Sequence, residues 1–307
     1  MKTDSVLEKV LASGNLAVTS ECGPPRGAAV DKVKKKAEML KGFVDAVNVT
    51  DNQTAMVRMS SFAAGVLLRQ MDLHPVLQMV TRDRNRLAMQ ADIIGAYAHG
   101  INTMLCLSGD HPHFGDHPMA ANVHDIDSIQ FVQMVRQMRD EGTFQGGAEI
   151  DEPPKMFIGA AANPFADPFE LRVARLAKKV AAGVDFIQTQ CIYNVEKFEQ
   201  WMEGVCERGL HEKCAILAGI TPMKSAGMAR YMKNKVPGMD VPQEMVDRMA
   251  AVPKEKQPDE GIQICVETIE RLKELKGVAG FHIMAIEWEQ KVPEIVERAG
   301  LLPRPEV

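Results

Sequence analysis

Short continuous apolar runs alternate along this chain with longer stretches in which apolar residues recur every three or four positions. The apolar runs are Leu16–Glu21, Val44–Thr50, Pro75–Thr81, Asn102–Leu107, Met156–Ala162, Asp185–Gln190, Ala215–Ile220 and Gly280–Ile286. None alternates cleanly, which is the habit of strands buried on both faces of a parallel sheet. Between them, roughly at 29–41, 61–71, 84–99, 125–140, 167–182, 194–209, 224–234 and 290–299, the spacing predicts amphipathic helices. Gly42, Gly100, Gly183, Gly209 and Gly300 closely follow five of these, as helix-stopping glycines do. Residues 3–12 predict a further short helix, placed to plug the floor of a barrel. The longest irregular stretch runs from Asn234 to Gly261 and holds Pro237, Pro242, Pro253 and Pro258. A short helix at 242–250 and another at about 260–276 make it an elaborated connection, at about 234–276, before the last strand. Eight strand–helix units in 307 residues predict one α/β domain over residues 1–307, a closed (β/α)8 TIM barrel. A doubly wound open sheet is the alternative, weakened because no GxGxxG follows the first strand.

The strand ends carry the polar residues Glu21, Thr50, Asp110, Asn163 and Gln190. In a barrel of this kind those ends converge on one mouth, where the chemistry is done. Two carboxylates and an amide facing a common cavity suit an enzyme for a small polar ligand. In Ser20-Glu21-Cys22-Gly23-Pro24-Pro25-Arg26-Gly27 the prolines stiffen the turn and bias the preceding residues toward extended geometry, holding Glu21 at the strand end. The plainer reading is a loop clasp between Glu21 and Arg26. Asp110 follows Ser108-Gly109, small residues that let a ligand approach the backbone, or it caps the following turn. Gln190 offers a donor and an acceptor to a heterocycle edge, or is a satisfied amide under a loop.

Composition narrows the choice. Apolar residues make up 46% and charged residues 25%, ordinary for a globular chain. A net charge of −5 gives no basic footprint for nucleic acid. No apolar run reaches membrane-spanning length, and Met1-Lys2-Thr3-Asp4-Ser5 opens no signal-peptide core, so the expected compartment is the cytoplasm. The six cysteines form no CxxC pair and most are expected to be buried, reduced core residues, with Cys22 set apart by its neighbour Glu21. The twenty methionines fit core filling, with an adaptable surface the alternative. The loop His111-Pro112-His113-Phe114-Gly115-Asp116-His117, with His124 nearby, matches no tight zinc spacing and is expected to be a solvated or partner-facing loop over the mouth, not a metal site. Lys32, Lys34, Lys35 and Lys36 read as a solvated helix face, or as a weak patch for an anionic partner.

A set of short motifs gives a sharper lead. They are Glu21-x-x-Pro24-Pro25-Arg26, Val47-Asn48-Val49-Thr50, Thr81-Arg82-Asp83-Arg84-Asn85, Leu107-Ser108-Gly109-Asp110, Gly159-Ala160-Ala161-Ala162-Asn163-Pro164, Lys179-x3-Gly183-x5-Thr189-Gln190 and Ala218-Gly219-Ile220-x-Pro222. In this order the set resembles 5,10-methylenetetrahydrofolate reductases, in their short, catalytic-domain-only form. The histidine loop and the Ile286-Glu287-Trp288-Glu289 ending are similar to the variant that works beside a partner subunit in organisms of the acetyl-CoA pathway. The resemblance implies a flavin in the barrel, hydride transfer to methylenetetrahydrofolate, and 5-methyltetrahydrofolate as product. It implies Glu21 as the general acid for ring opening, an acid that must hold its proton near neutral pH through burial in an apolar mouth. It implies Asp110 near the flavin and the pterin, Gln190 on the pterin, and Thr50, Gly109, Asp110, Ala161, Asn163 and Lys179 around the flavin, with Lys179 meeting phosphate.

Four positions depart from the family pattern. Gln78 stands where the family often has histidine, Ser108 where it has arginine, Asn163 where it has tyrosine, and Arg172 where an aspartate holds the adenosine ribose of FAD. These changes favour FMN, with FAD the alternative and with Arg172 or Lys179 near the terminal phosphate. Trp288 takes the place of an arginine after the last strand, where it stacks on pterin or flavin or seals the barrel. The electron donor stays open between NAD(P)H, ferredoxin and a partner redox subunit, and a hetero- or homo-oligomer is expected. Two other functions compete: a pterin-dependent methyltransferase barrel without flavin, and a folate-binding scaffold that depends on a partner.

Overall fold

The continuous apolar runs become strands because both their faces are covered, one by helices and one by the filling of the barrel. A computed structural model describes residues 1–307. The strands β1 (Ala17–Cys22), β2 (Ala46–Val49), β3 (Pro75–Val80), β4 (Thr103–Leu107), β5 (Phe157–Ala162), β6 (Phe186–Cys191), β7 (Ala215–Ile220) and β8 (Val278–Ile283) close into a parallel barrel in chain order. Closure comes from β1, which pairs with both β2 and β8. The outer helices are α2 (Val30–Leu40), α3 (Ser61–Arg69), α4 (Arg86–Ala98), α5 (Ser128–Asp140), α6 (Leu171–Ala182), α7 (Val195–Glu207), α8 (Ala226–Lys235) and α11 (Val292–Arg298), preceded by a short α1 (Val6–Ala12). The (β/α)8 barrel expected from the apolar pattern is the observed fold. Between β7 and β8 the chain also builds α9 (Gln243–Ala251) and α10 (Gln257–Lys273). There Met223, Met232 and Met249 fill a small separate core, as flexible thioethers do in irregular spaces.

Two boundaries differ from the sequence pattern for identifiable reasons. The last strand stops at Ile283 although Met284-Ala285-Ile286 continues the apolar run. Lys224 Nζ captures the carbonyls of Ile286 (2.8 Å) and Glu287 (3.1 Å), and Glu287 turns into the left-handed region at φ 49°. α10 starts earlier than expected because Pro258 occupies its first turn, where a missing N–H costs no helical bond.

Inward-facing residues alternate along each strand and form layers. At the floor, Ala17, Ala46, Val76, Leu105, Phe157, Phe186 and Leu217 pack with Leu7 and Val10, so α1 plugs the barrel as its apolar spacing predicts. Ser5 caps this helix and its hydroxyl lies 2.7 Å from that of Thr103 on β4, which ties the plug in place. Phe157 and Phe186 stack with centroids 5.2 Å apart. Gly159 is glycine for that reason, since a Cβ there would lie 2.2 Å from the Phe186 ring. Above the floor the layer turns polar, with Thr19, Asn48, Gln188 and His282 all buried.

Three buried aspartates flank the strands, and each combines a backbone bond with an arginine. Asp45 accepts from Val18 N (2.7 Å) and Arg304 Nε (3.0 Å). Asp51 accepts from Val80 N (3.0 Å) and Arg84 Nη1 (2.6 Å). Asp185 accepts from Ile158 N (2.9 Å), Arg139 Nη1 (2.5 Å) and Lys2 Nζ (2.6 Å). Removing one member of such a pair strands the other charge in the interior. Arg304 has no second carboxylate, so Asp45→Ala is expected to destabilise the fold by roughly 3–5 kcal/mol. Denaturant unfolding checks this, and a loss below about 1 kcal/mol, the level of an exposed pair, would contradict it.

Candidate functional site

The C-terminal ends of the strands surround a cavity of about 360 Å³. Glu21 enters it from β1, Gln78 from β3, Ala161 from β5, Gln188 and Gln190 from β6 and His282 from β8, with Ser108, Asn163 and Met284 just beyond their strands. Six of its seventeen lining residues are apolar, so the mouth is polar rather than the apolar pocket expected around Glu21. A second cavity of about 240 Å³ shares Gln78, Leu107 and Ser108 with the first and continues to Gly109, Asp110 and Arg82. A third, about 60 Å³, shares Ala161, Asn163, Arg175 and Lys179 and adds Arg172. The shared walls make one elongated groove across the mouth.

Glu21 is half-buried, and its Oε1 lies 3.6 Å from His282 Nε2. Arg26 pairs instead with Asp116 on the β4–α5 loop, so no clasp with Glu21 forms. Gln190 Oε1 accepts from Cys191 N (3.0 Å), which leaves its NH2 group for the cavity. Asp110 is exposed at the edge of the second cavity and accepts from Thr54 N (3.1 Å). It therefore ties down the β2–α3 loop while its carboxylate borders the groove.

At the opposite end from Asp110, α6 presents Arg172, Arg175 and Lys179 on one face. Lys179 is buried and donates to the Ala161 carbonyl, while Arg172 Nε donates to Pro168 O (3.2 Å). Neither bonds a carboxylate. Burial, and secondarily the charge of Arg175, pushes the Lys179 ammonium down to about 8. A buried ammonium with no acid partner suits an anionic group such as a phosphate. Asn163 reaches across this end, with Nδ2 donating to Gly238 O at 3.0 Å and Oδ1 accepting from Phe165 N at 2.9 Å.

Of the residues singled out in the sequence, Glu21, Gln78, Ser108, Ala161, Asn163, Lys179 and Gln190 share the main cavity. Gly109 and Asp110 line the adjoining one and Arg172 the third. Thr50 and Trp288 line none of the three. Thr50 is buried with its hydroxyl unpaired. Trp288 packs on the core, partly buried, with Lys224 Nζ 5.7 Å from its ring centroid. Cys22 is fully buried, and burial pushes its thiol up to about 12, so it offers no nucleophile beside Glu21. Lys36 leaves the solvated lysine face to pair with Glu289 (2.7 Å) and Glu287 (3.2 Å). In the histidine loop, His111 Nδ1 accepts from His113 N and His117 Nδ1 lies 3.0 Å from Asp116. No group of three or more His, Cys, Asp or Glu side chains could hold a metal ion. No helix is long and apolar enough to cross a membrane.

The sequence reading missed Arg175, which lies one helical turn before Lys179 and could have been found from that spacing. It also missed Thr19, Asn48, Gln188 and His282. Asn48 and His282 gave a faint signal, as single polar residues in otherwise apolar strands, while Thr19 and Gln188 stand in the short polar runs that end their strands.

Fold and site together define a (β/α)8 barrel whose mouth carries a carboxylate at the end of β1 and a cationic far edge. The chain belongs to the methylenetetrahydrofolate reductase family, whose model matches residues 6–300. Methylenetetrahydrofolate reductase 2 of Schizosaccharomyces pombe is 25% identical over 330 residues, covering 99% of this chain and 48% of that protein. The probable methylenetetrahydrofolate reductase (NADPH) of Caenorhabditis elegans is 23% identical over 285 residues, covering 89% of this chain and 40% of that protein. The chain thus spans less than half the length of these relatives. Among solved structures, an uncharacterized protein from Clostridium thermocellum that binds two copies of 5-methyl-5,6,7,8-tetrahydrofolic acid has the same fold. Its TM-score is 0.64 at 13% identity, covering 97% of this chain and 99% of that one.

Proposed function

We propose that this chain reduces 5,10-methylenetetrahydrofolate to 5-methyltetrahydrofolate with a bound flavin. One observation carries the reading: a half-buried carboxylate, Glu21, shares a groove with a buried lysine that lacks an acid partner. Family membership and the folate bound by the Clostridium thermocellum barrel support it. Lys179, Arg175 and Arg172 would hold the flavin phosphate, and Gln78, Ser108, Gly109, Ala161 and Asn163 would border its ring system. Bound flavin supplies a hydride. Gln190 and Asp110 orient the pterin with an amide and a carboxylate. Glu21 gives a proton to N10 as the bond from the methylene carbon to N10 breaks and its electron pair moves to that nitrogen. The N5-methylene cation so formed accepts the hydride and becomes the methyl group. Reducing equivalents come from NAD(P)H or a partner redox subunit.

FMN fits the cationic end better than FAD, because Arg172, Arg175 and Lys179 line a cavity of only about 60 Å³, room for a phosphate but not for an adenosine. The test is the visible spectrum of the purified chain, followed by chromatography of what acid releases. A yellow protein that releases FMN is the expected result. FAD would overturn the reading of the cationic end alone. A chain that takes up neither flavin would overturn the reductase reading.

A further inference from the structure

Below Glu21, a line of polar side chains crosses the barrel. Asn48 and Gln188 exchange two hydrogen bonds, Asn48 Nδ2 donating to Gln188 Oε1 (2.6 Å) and Gln188 Nε2 to Asn48 Oδ1 (3.0 Å). Gln188 Nε2 also donates to Thr19 Oγ1 at 3.1 Å. Thr19 Oγ1 lies 2.9 Å from His282 Nδ1, and His282 Nε2 lies 3.6 Å from Glu21 Oε1. All four of these inner residues are at most 3% exposed, so water does not compete for their bonds.

The donor inventory gives this line a direction. Gln188 sends an N–H to Thr19, whose oxygen is thereby an acceptor and whose own proton needs a partner. The acceptor beside it is His282 Nδ1. A ring that accepts at Nδ1 carries its proton on Nε2 when neutral, and Nε2 faces Glu21. Catalytic hydrogen bonds are often long until substrate arrives, so 3.6 Å is within reach of closure.

We infer that the Asn48–Gln188–Thr19 line presets His282 as the Nε2–H tautomer, and that His282 is a positioning residue for Glu21. Its N–H aims the carboxyl group into the cavity and stabilises the carboxylate that remains once Glu21 has given up its proton. This rests on Glu21 being the proton donor. Outer partners that fix a ring's tautomer in this way tune the group it touches.

The test has two readouts on the flavin-loaded protein. Nitrogen-15 NMR, with the His282 signal assigned by its loss in His282→Gln, is expected to show a bare Nδ1 and a protonated Nε2. In kinetics, His282→Leu should lower kcat for folate reduction about 100-fold, the lower end of the range for general acid catalysis, and Thr19→Val, which acts only through the ring, about tenfold. KM for folate and flavin reduction by dithionite should be unchanged. His282→Gln, which restores an N–H donor, and Thr19→Ser should each recover most of the loss. A ring protonated on Nδ1 would overturn the inference, because Thr19 Oγ1 would then accept from both Gln188 and His282 and a bare Nε2 would face Glu21. So would an undiminished kcat in His282→Leu, or Thr19→Ser failing where Thr19→Val fails. If Glu21→Gln itself proved fully active, the proton-donor reading would fall and the role of His282 with it. A slow Glu21→Gln beside an Nδ1–H ring overturns the role of His282 alone.

Discussion

Glu21→Gln is expected to keep its fold and its flavin while folate reduction slows by roughly 10²–10⁴-fold, the usual contribution of a general acid. The amide preserves the shape of the side chain but has no proton to release to N10. The departing nitrogen would then have to leave as an anion or await a proton from water. Glu21 sits at the end of β1, on the cavity wall remote from the α6 cations, so flavin affinity should not follow the change. Stopped-flow measurement of the two half-reactions separates these effects. The donor half-reaction should run at the parent rate and the folate half-reaction should be crippled. Equal slowing of both would point to a general disturbance of the mouth.

The second large effect is expected at Lys179. Its ammonium is held down at about 8, against an ordinary 10.5, chiefly by burial. The folded chain therefore binds this proton less tightly than the unfolded chain. The resulting destabilisation is complete below about pH 8 and fades as pH rises toward 10.5. A displacement of this size corresponds to roughly 3 kcal/mol. Lys179→Met removes it and also loses the bond to the Ala161 carbonyl, worth roughly 1 kcal/mol. The flavin-free variant should thus be more stable than the parent near pH 7, by roughly 1–2 kcal/mol in denaturant unfolding. The same change should weaken FMN binding about 100-fold, because truncating one partner of a buried charged pair costs roughly 2–5 kcal/mol. In the parent chain FMN affinity should fall as pH rises through about 8, while riboflavin, which lacks the phosphate, should respond to neither pH nor variant. Calorimetric titration of both ligands decides this, and unchanged FMN affinity in Lys179→Met would remove Lys179 from the phosphate site.

The parts of the molecule that could be read in the chain are those set by local pattern. Strands buried on both faces give continuous apolar runs, so all eight were placed within a few residues. The glycine at 183 ends α6 in the left-handed region at φ 106°, as a stop signal should. Glu21 could be picked out because Pro24 and Pro25 stiffen the turn behind it. What escaped depends on contacts between distant segments. Asn48 and Gln188 are 140 positions apart, and neither strand says which residue lies opposite. His282 reads as one polar letter in an apolar run until closure of β8 against β1 sets it beside Thr19. The end of β8 was misplaced because two lysines from elsewhere, Lys36 and Lys224, hold the segment around Glu287 and Glu289 in a turn. Trp288 could be read either way from its position after the last strand, and its contact with the core depends on segments the sequence does not bring together.

In the function proposed above, this barrel passes reducing equivalents to methylenetetrahydrofolate at a groove built from Glu21 and the α6 cations. The most direct test is a single anaerobic turnover: the flavin-loaded chain is reduced with dithionite, freed of excess reductant and mixed with methylenetetrahydrofolate. Return of the oxidised-flavin spectrum, with one 5-methyltetrahydrofolate formed per flavin, is the result this account predicts. A flavin that stays reduced in the presence of saturating substrate, with no methyl product, would contradict it.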